Sequence, residues 1–437
     1  MGLVLLLRWP ILGLYALAFS IPFGSLREIH LAGMAFGASE LILLATLGIW
    51  ALRTLALRKA WPPSAPLTWA ISLYLGTLFL SLWPAQNMAS AFKELSKWLE
   101  LLLLYLFATE ELKVHRKGLI AALLLAGSLE GLVGIYQFFR CVGPEEFLLF
   151  GRYMRAFGTF LQPNPFGGYM GLLLPLAYAT ALTSWKEAWH GWQRKQPKPI
   201  LLWGLAVIAM GIMGAALLMS WSRGALLGLL GGALIVFARL GRRSWWILVV
   251  ALCLLALQPQ GLLPSSLLHR LTEFSQYTRI DLATVEITDE NFAIIERLAH
   301  WQAAWRIFAQ HPWLGAGTGQ YATVYPSVAL PRWQDPLGHA HNYYLNILAE
   351  GGLIGLTAYL AFLLAALRTT WRIAGHAHGW EQGLALGALG MLGHLAVHSI
   401  FDNLYVHEMY LLVAMILGAV ASVELASKRS PSKACVR

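Results

Sequence analysis

Long apolar stretches alternate with short polar links along most of the chain. Twelve of the stretches contain 17–25 residues, which is the length an α-helix needs to cross the ~30 Å hydrocarbon core of a bilayer. They are 3–22, 33–52, 66–83, 91–109, 118–139, 166–183, 200–219, 224–240, 244–263, 343–367, 383–401 and 408–425. The pattern therefore predicts an all-α, polytopic membrane protein with about twelve transmembrane helices.

One long segment interrupts this pattern between the ninth and tenth stretches. Within it, residues 291–311 place apolar side chains such as Ile295, Leu298 and Trp305 at helical spacing, which predicts an amphipathic helix at the outer membrane face. We expect three regions: helices one to nine in 1–263, a partly helical periplasmic loop in 264–342, and helices ten to twelve with a cytoplasmic tail in 343–437.

Composition supports the membrane interpretation. Hydrophobic residues make up 58% of the 437 residues and charged residues only 12%, about half the charged fraction that is usual in a soluble domain. The net charge of +10 arises mainly from Lys and Arg in alternate links, such as 113–117 and 239–243. This is the positive-inside distribution, not a nucleic-acid-binding patch, and it predicts cytoplasmic N- and C-termini.

Three polar residues on the predicted outer side are candidates for chemistry. Arg223 lies in the short link SWSRG, Arg297 follows Glu296 in the amphipathic helix, and His341 precedes the tenth apolar stretch. An arginine at a membrane boundary needs an anion or another partner, and a histidine can act as a base near neutral pH. Structural interpretations stay open: lipid headgroup contact for Arg223, an ion pair for Arg297, and a loop-to-helix junction for His341.

The sequence lacks the usual signatures of nucleotide and metal chemistry. The four aspartates form no D-x-D pair, and there is no G-x-x-x-x-G-K-[ST] loop, so ATP-driven or nucleotide-sugar reactions are disfavoured. His339 and His341 form an H-x-H pair, which is a weak metal signal without neighbouring cysteines or several carboxylates. We therefore expect neither a metal nor another cofactor.

Several of these segments together resemble a known family. His341 and Asn342, followed by Gly352 and Gly355, resemble the H-N-x(9)-G-x-x-G signature of the bacterial O-antigen ligase and O-antigen polymerase superfamily. The segment 296–321, the SRG motif and the GTF-x-x-PN motif at 158–164 occur in the expected order. Leu356 departs from the Thr or Val that is usual after the final glycine.

The resemblance implies a glycosyltransferase that uses lipid-linked donors. The donor would be a glycan on undecaprenyl diphosphate in the cell inner membrane, and the acceptor a hydroxyl of the lipid A core, a second glycan repeat or a protein. It assigns His341 as the catalytic base and Arg223, Arg297, Arg155 and Asn342 to substrate binding. Arginines can bind a diphosphate without a metal, and a single displacement would invert the anomeric centre.

Two alternatives differ in what is moved. A polymerase of the same superfamily would join lipid-linked repeats to one another to make an exopolysaccharide or O-antigen. A membrane transporter, such as a bicarbonate carrier, would instead use ionisable residues inside the membrane, for which Glu40, Glu130, His394 and His398 are candidates. The candidate arginines and His341 gather at the outer face rather than at the midplane, which favours glycan transfer.

Overall fold

The computed structural model describes residues 2–23, 28–31, 34–58, 64–149, 151–241, 245, 282, 284–288 and 291–428. Most of these residues are helical. The helices are α1 (Gly2–Arg8), α2 (Ile11–Phe23), α3 (Ala38–Ala56), α4 (Thr68–Leu80), α5 (Met88–Arg140), α6 (Pro163–Gln193), α7 (Pro197–Met219), α8 (Arg223–Leu240), α9 (Phe292–Gln310), α10 (Tyr321–Val324), α11 (Tyr343–His376), α12 (Gly379–His398) and α13 (Met409–Lys428). Strands β1 (Glu28–Leu31) and β2 (Met34–Gly37) form one antiparallel pair, and β3 (Leu148–Leu149) and β4 (Tyr153–Met154) form another.

The all-α, polytopic membrane architecture is confirmed. Among the described residues, seven helices are long and apolar enough to cross a membrane: α3, α5, α6, α7, α8, α11 and α13. Two shorter apolar helices, α2 and α4, coincide with the first and third predicted spans. The predicted ninth span, 244–263, lies outside the described residues, as does most of 264–290, so the total of twelve stays a prediction.

The first two predicted spans are not single helices over their full length. The stretch 3–22 consists of two helices, because Pro10 lacks the backbone N–H that a continuous helix would use. The stretch 33–52 begins inside β2, and its helix starts only at Ala38, after Gly37. Hydropathy detects both segments correctly but does not register these local changes of backbone conformation.

The fourth and fifth predicted spans, 91–109 and 118–139, belong to one helical element, α5. We expected a link around Lys113, Arg116 and Lys117, but 110–117 contains no glycine or proline to end a helix. A straight helix of 53 residues would be ~80 Å long, more than twice the hydrocarbon thickness. The two halves of α5 must therefore occupy different positions in the helix bundle.

The contacts of α5 show that its two halves run in opposite directions. In the first half, Glu100 accepts a hydrogen bond from Tyr410 at the start of α13, and Arg116 reaches Ser422 near its end. In the second half, Gly134 lies against Phe166 at the start of α6. Since α6 and α13 both begin at the end of the bundle that contains the α12–α13 link, α5 bends near Arg116 and returns.

The tenth predicted span, 343–367, is broken at Gly352. Gly352 has φ +62° and ψ −160°, which is not helical. The rings of Tyr343 and Tyr359 are 5.3 Å apart, although a straight helix would separate these residues by ~24 Å. The first part of α11, 343–351, therefore folds back along the second part, 353–376.

A glycine-rich segment, 312–320, holds this turn in place. The backbone N–H groups of Ala316 and Gly317 donate to the carbonyl oxygens of Ala349 and Glu350. A Cβ atom on Gly352 would lie 2.4 Å from the backbone of Trp313, so only glycine fits there. The segment thus joins the end of α9 to the turn in α11.

Candidate functional site

His341 lies directly before α11 in a constrained backbone conformation. Its φ is +50°, a left-handed value that costs energy for a residue other than glycine and is often found at functional sites. Two contacts maintain it: the His341 N–H donates to Nδ1 of His339 at 3.1 Å, and Nε1 of Trp301 donates to the His341 carbonyl oxygen at 3.3 Å. The helix predicted at 291–311 is present as α9 and helps to fix the position of His341, while its place at the outer membrane face stays a prediction.

Asn342 begins α11 as its N-cap. Its side-chain oxygen accepts a hydrogen bond from the Leu345 N–H at 3.0 Å, satisfying one of the free amides at the helix start. Asn346, one turn further, accepts from the Ala340 N–H. In the protein alone, Asn342 thus orders the backbone on the C-terminal side of His341.

Asp402, in the link between α12 and α13, is the carboxylate closest to His341 in the described structure. Its Oδ1 is 3.6 Å from Nδ1 of His341 and 3.8 Å from Nε2 of His339. Burial alone would raise the pKa of Asp402, but its side-chain interaction with His341 and its electrostatic interactions with His339 and Arg297 hold that pKa well below its usual range. Asp402 is therefore ionised at neutral pH.

His339, His341 and Asp402 also resemble a metal-ligand set, because their ligand atoms lie within 4.8 Å of one another. The hydrogen bonds argue against that use. His339 accepts through Nδ1, so in the neutral ring Nε2 carries the proton and cannot bind a metal. Burial lowers the pKa of His339 to about 4, which keeps the ring neutral, and its Nε2–H faces Asp402. The protonation state of His339 therefore disfavours a metal centre at these three residues.

His300, on α9, completes the cluster on the opposite side of His341. Its ring stacks on Tyr325 at 4.8 Å, meets His341 edge-on at 5.6 Å, and places Nδ1 3.0 Å from the Tyr321 hydroxyl. Burial, together with electrostatic interactions with His341 and His339, lowers the pKa of His300 to about 4. His341 therefore lies between an ionised carboxylate and a neutral, buried histidine.

Arg297 lies one turn before His300 on the same helix. Its Nη1 donates to the Ala293 carbonyl oxygen at 2.7 Å, and its charge acts on Asp402, His339 and His398. Arg297 is half-buried. Arg297 therefore acts on the neighbours of His341, while the convergence of Arg223, Arg297 and His341 on one outward-facing cavity stays a prediction.

Arg223 is the first residue of α8, after Ser222, whose hydroxyl caps the helix. The next residue, Gly224, packs so closely on α12 that a Cβ there would lie 2.8 Å from the His398 ring. The His398 carbonyl oxygen in turn accepts from the Asp402 N–H. The start of α8 therefore adjoins the link that carries Asp402, and convergence of the Arg223 side chain on His341 stays a prediction.

Arg155 binds the short α7–α8 link that precedes Arg223. Its Nε donates to the Ser220 carbonyl oxygen at 3.0 Å, and Nη2 lies 3.4 Å from Oδ1 of Asn164. The neighbouring Ala156 N–H donates to the Met219 carbonyl oxygen. These contacts fix the end of α7, and with it the starting point of α8, so they give Arg155 a positioning role whatever else it binds.

The intramembrane residues considered for transport have partners within the protein. Glu130 accepts from the Thr159 N–H and hydroxyl, which anchors the GTF motif. Nδ1 of His398 lies 3.2 Å from Nε2 of His394. These bonds are consistent with helix packing rather than with a path for a solute.

Two parts of the cluster were missed in the sequence, Asp402 and His300. Asp402 was noted only as one of four aspartates, and His300 not at all, although HSIFDN follows a predicted span and places an aspartate just outside the membrane. A rare carboxylate at such a boundary is a signal that could have been followed. His300 offers no comparable signal, because its role depends on the packing of α9.

Comparison with known proteins supports the resemblance to the O-antigen ligase and polymerase superfamily. Residues 208–360 match the model of the O-antigen ligase family. This range contains Arg223, Arg297 and His341. The chain is also 27% identical over 240 residues to an O-antigen ligase of Pseudomonas aeruginosa, an alignment that spans 51% of this chain and 52%, about half, of that relative. Both matches support the assignment of the chain to the O-antigen ligase superfamily.

Proposed function

We propose that the protein is a membrane glycosyltransferase of the O-antigen ligase type. It would move a glycan from undecaprenyl diphosphate to an acceptor hydroxyl on the periplasmic face of the cell inner membrane, with both termini in the cytoplasm. The observation that carries the proposal is the arrangement of His341 against the ionised carboxylate of Asp402. A histidine held by a carboxylate in this way is suited to accept a proton from a hydroxyl group.

In this mechanism His341 acts as the general base. Asp402 accepts a hydrogen bond from Nδ1–H of His341 once the 3.6 Å separation closes slightly, so that the Nε2 lone pair faces the acceptor. Nε2 takes the hydroxyl proton as the acceptor oxygen bonds to the anomeric carbon. The bond from that carbon to the phosphate oxygen breaks, its electron pair stays on the diphosphate, and the anomeric configuration inverts.

Arg223 and Arg297 stabilise the leaving group. The diphosphate gains negative charge as the glycosidic bond breaks, and a guanidinium can bind phosphate oxygens with two parallel hydrogen bonds while remaining charged. The charge of Arg297 already acts on Asp402 and His339. In the proposed complex, the Arg297 guanidinium would bind the diphosphate next to His341. Arg155 and Asn342 contribute through the backbone that they order, in addition to the substrate contacts predicted for them.

A transfer assay tests this proposal. Purified full-length protein is mixed with an undecaprenyl-diphosphate-linked glycan and either a lipid A core acceptor or a second lipid-linked repeat. His341→Ala should abolish transfer but leave donor binding intact, whereas Arg223→Ala or Arg297→Ala should weaken donor binding as well. His376→Ala, at the exposed end of α11, is the control. Full transfer by His341→Ala with every acceptor would exclude the mechanism, and the acceptor used distinguishes a ligase from a polymerase.

A further inference from the structure

The last turns of α6 extend beyond the segment that is predicted to cross the membrane. α6 has 31 residues and would be ~46 Å long, whereas the hydrocarbon core of a bilayer is ~30 Å thick. The helix begins at the end of the bundle that contains the α12–α13 link, and near its other end Glu187 lies against Gly379, the first residue of α12. Residues 184–193 therefore lie at the end of the bundle opposite to His341.

Three tryptophans share one exposed side of this part of α6. Trp185, Trp189 and Trp192 are separated by four and three positions, so they lie on one side of the helix, and their exposed fractions are 52%, 52% and 67%. The rings of Trp189 and Trp192 meet edge-on at 5.6 Å. Ser184 and Gly191, on another side of the helix, are buried. Exposed tryptophans at the end of a membrane helix are typical of the level of the lipid headgroups, because the indole ring is apolar and its N–H is polar.

Four exposed cations accompany these tryptophans: Lys186, Arg194, Lys195 and Lys198. The Lys186 ammonium lies 5.7 Å from the centre of the Trp185 ring. None of the four forms an ion pair with a carboxylate in the described part of the chain. The acidic residue between them, Glu187, is directed toward Gly379 and interacts with Lys117 instead. The four positive charges therefore lack a compensating charge among the described residues.

The turn after α6 keeps the cations close to the tryptophans. The Lys195 N–H donates to the Trp192 carbonyl oxygen at 3.0 Å, and Lys195 has φ +55°, a left-handed value that reverses the chain before α7 begins at Pro197. Arg194 and Lys198 flank this turn. Apolar rings and positive charges are thus presented together at one end of the bundle.

We propose that this surface, the α6 anchor face, binds anionic phospholipids of the adjacent membrane leaflet. The anchor face consists of Trp185, Lys186, Trp189, Trp192, Arg194, Lys195 and Lys198. Its tryptophan rings pack between the lipids at the level of the headgroups, and its cations bind the phosphates. A soluble acidic partner would match the charges but not the tryptophans at the edge of the hydrocarbon core. This binding is separate from the proposed glycan transfer and does not depend on it.

An anionic headgroup is favoured over a zwitterionic one by charge complementarity. In phosphatidylcholine the choline cation cancels the charge of the phosphate, whereas phosphatidylglycerol keeps one negative charge. Each Lys or Arg near an anionic membrane surface adds attraction, which decreases as salt is added. The anchor face therefore selects the lipid by its headgroup charge, while the tryptophans set the depth of the helix in the membrane.

Quenching of tryptophan fluorescence by lipids with brominated acyl chains tests the proposal. The full-length protein is reconstituted in phosphatidylcholine vesicles that contain a minor fraction of brominated phosphatidylglycerol or, in a parallel series, of brominated phosphatidylcholine. We expect an apparent affinity at least about fivefold higher for phosphatidylglycerol, the factor that corresponds to the attraction of one Lys or Arg, and a smaller ratio at high salt. The measurement requires no transfer activity, so a failure of the proposed function would not affect it.

Two variants assign the effect to the anchor face. Replacing all four cations by Gln keeps the tryptophans and should make quenching by the two lipids equal. Replacing the three tryptophans by Phe should remove the additional quenching by phosphatidylglycerol, because the rings that report it are absent.

The control removes exposed cations at the other end of the bundle. Lys93→Gln, Arg140→Gln and Arg152→Gln, combined in one protein, should leave the preference for phosphatidylglycerol unchanged. A preference that persists in the cation variant, or that is lost in this control, would overturn the proposal. Equal quenching of the wild-type protein by the two lipids would do so even if the variants fail to fold.

Discussion

Asp402 and His341 are separated by 61 positions (402 minus 341) and meet only in the folded protein. His341 could be singled out in the sequence, because it stands in a recognisable motif at a predicted membrane boundary. Asp402 could not be paired with it, because nothing in the local sequence reports that the α12–α13 link returns to the start of α11. The proposed base could thus be recognised in the sequence, but its partner could not.

Replacing Asp402 by asparagine tests this pairing. The amide removes the negative charge that selects the Nδ1–H tautomer of His341, so we expect the transfer rate to fall by about 10²–10⁴-fold with little change in donor affinity. Initial rates and donor binding, each measured on the purified variant, check this. Asp335→Asn, on an exposed part of the loop, serves as the control, and an Asp402→Asn enzyme of normal rate would rule out the pairing.

The buried histidines make the protein sensitive to acid. The folded-state pKa values of His300 and His339 are lowered to about 4 from 6.5, so between these values the unfolded chain binds more protons. Stability is therefore complete above pH ~6.5 and is lost as the pH falls toward 4, by about 1.4 kcal/mol per pH unit for each group.

Melting curves recorded between pH 7.5 and 4.5 measure this loss. His300→Gln should reduce the slope of Tm against pH, because one of the two shifted groups is removed, while His376→Ala should leave the slope unchanged. A Tm that stays constant down to pH 5 would show that the two histidines are not buried in the neutral form.

Among the elements, the long apolar helices were predictable and the bends were not. A run of apolar residues reports that a segment can enter the bilayer, and α7, α8, α12 and α13 follow their predicted spans closely, whereas α6 continues to Gln193, beyond its predicted span of 166–183. An apolar run does not report a change in the direction of the chain, because the side chains on both sides of Gly352 and of Arg116 remain compatible with a helix. Only the packing partners of each half reveal the reversals in α5 and α11.

The turn in α11 is open to a direct test. Gly352→Ala places a Cβ at a positive φ and 2.4 Å from the Trp313 backbone, which we expect to cost about 1–3 kcal/mol and to lower both the Tm and the transfer rate. Gly351→Ala is the matched control, since its Cβ would meet only the Ile347 side chain, at 4.0 Å. Equal Tm values for the two variants would contradict the structural role of the turn.

On the scale of the whole molecule, elements distant in sequence surround His341: α9 holds its carbonyl, α11 begins beside it, and the link after α12 brings Asp402. The start of α8, which carries Arg223, packs on α12 next to that link. The order of these motifs along the chain was recognisable by resemblance. Their assembly around one histidine requires the bundle.

This assembly predicts a reaction that needs no metal. Transfer by the purified protein should continue in excess EDTA at its initial rate, because the two arginines and the His341–Asp402 pair supply the charge stabilisation and the proton acceptor. The measurement is glycan transfer before and after chelation, followed by addition of Zn²⁺ or Mg²⁺. Loss of transfer in EDTA and its return with metal would instead identify His339, His341 and Asp402 as ligands.

The reversal of α11 at Gly352 also bears on how the protein is made. The insertion machinery of the cell can release 353–376 into the bilayer as an uninterrupted helix, while 343–351 must double back along it. Asp402 leaves the ribosome later than both, since it follows α12. A newly inserted chain therefore lacks the His341–Asp402 pair of the proposed mechanism until α12 and the link after it have been made.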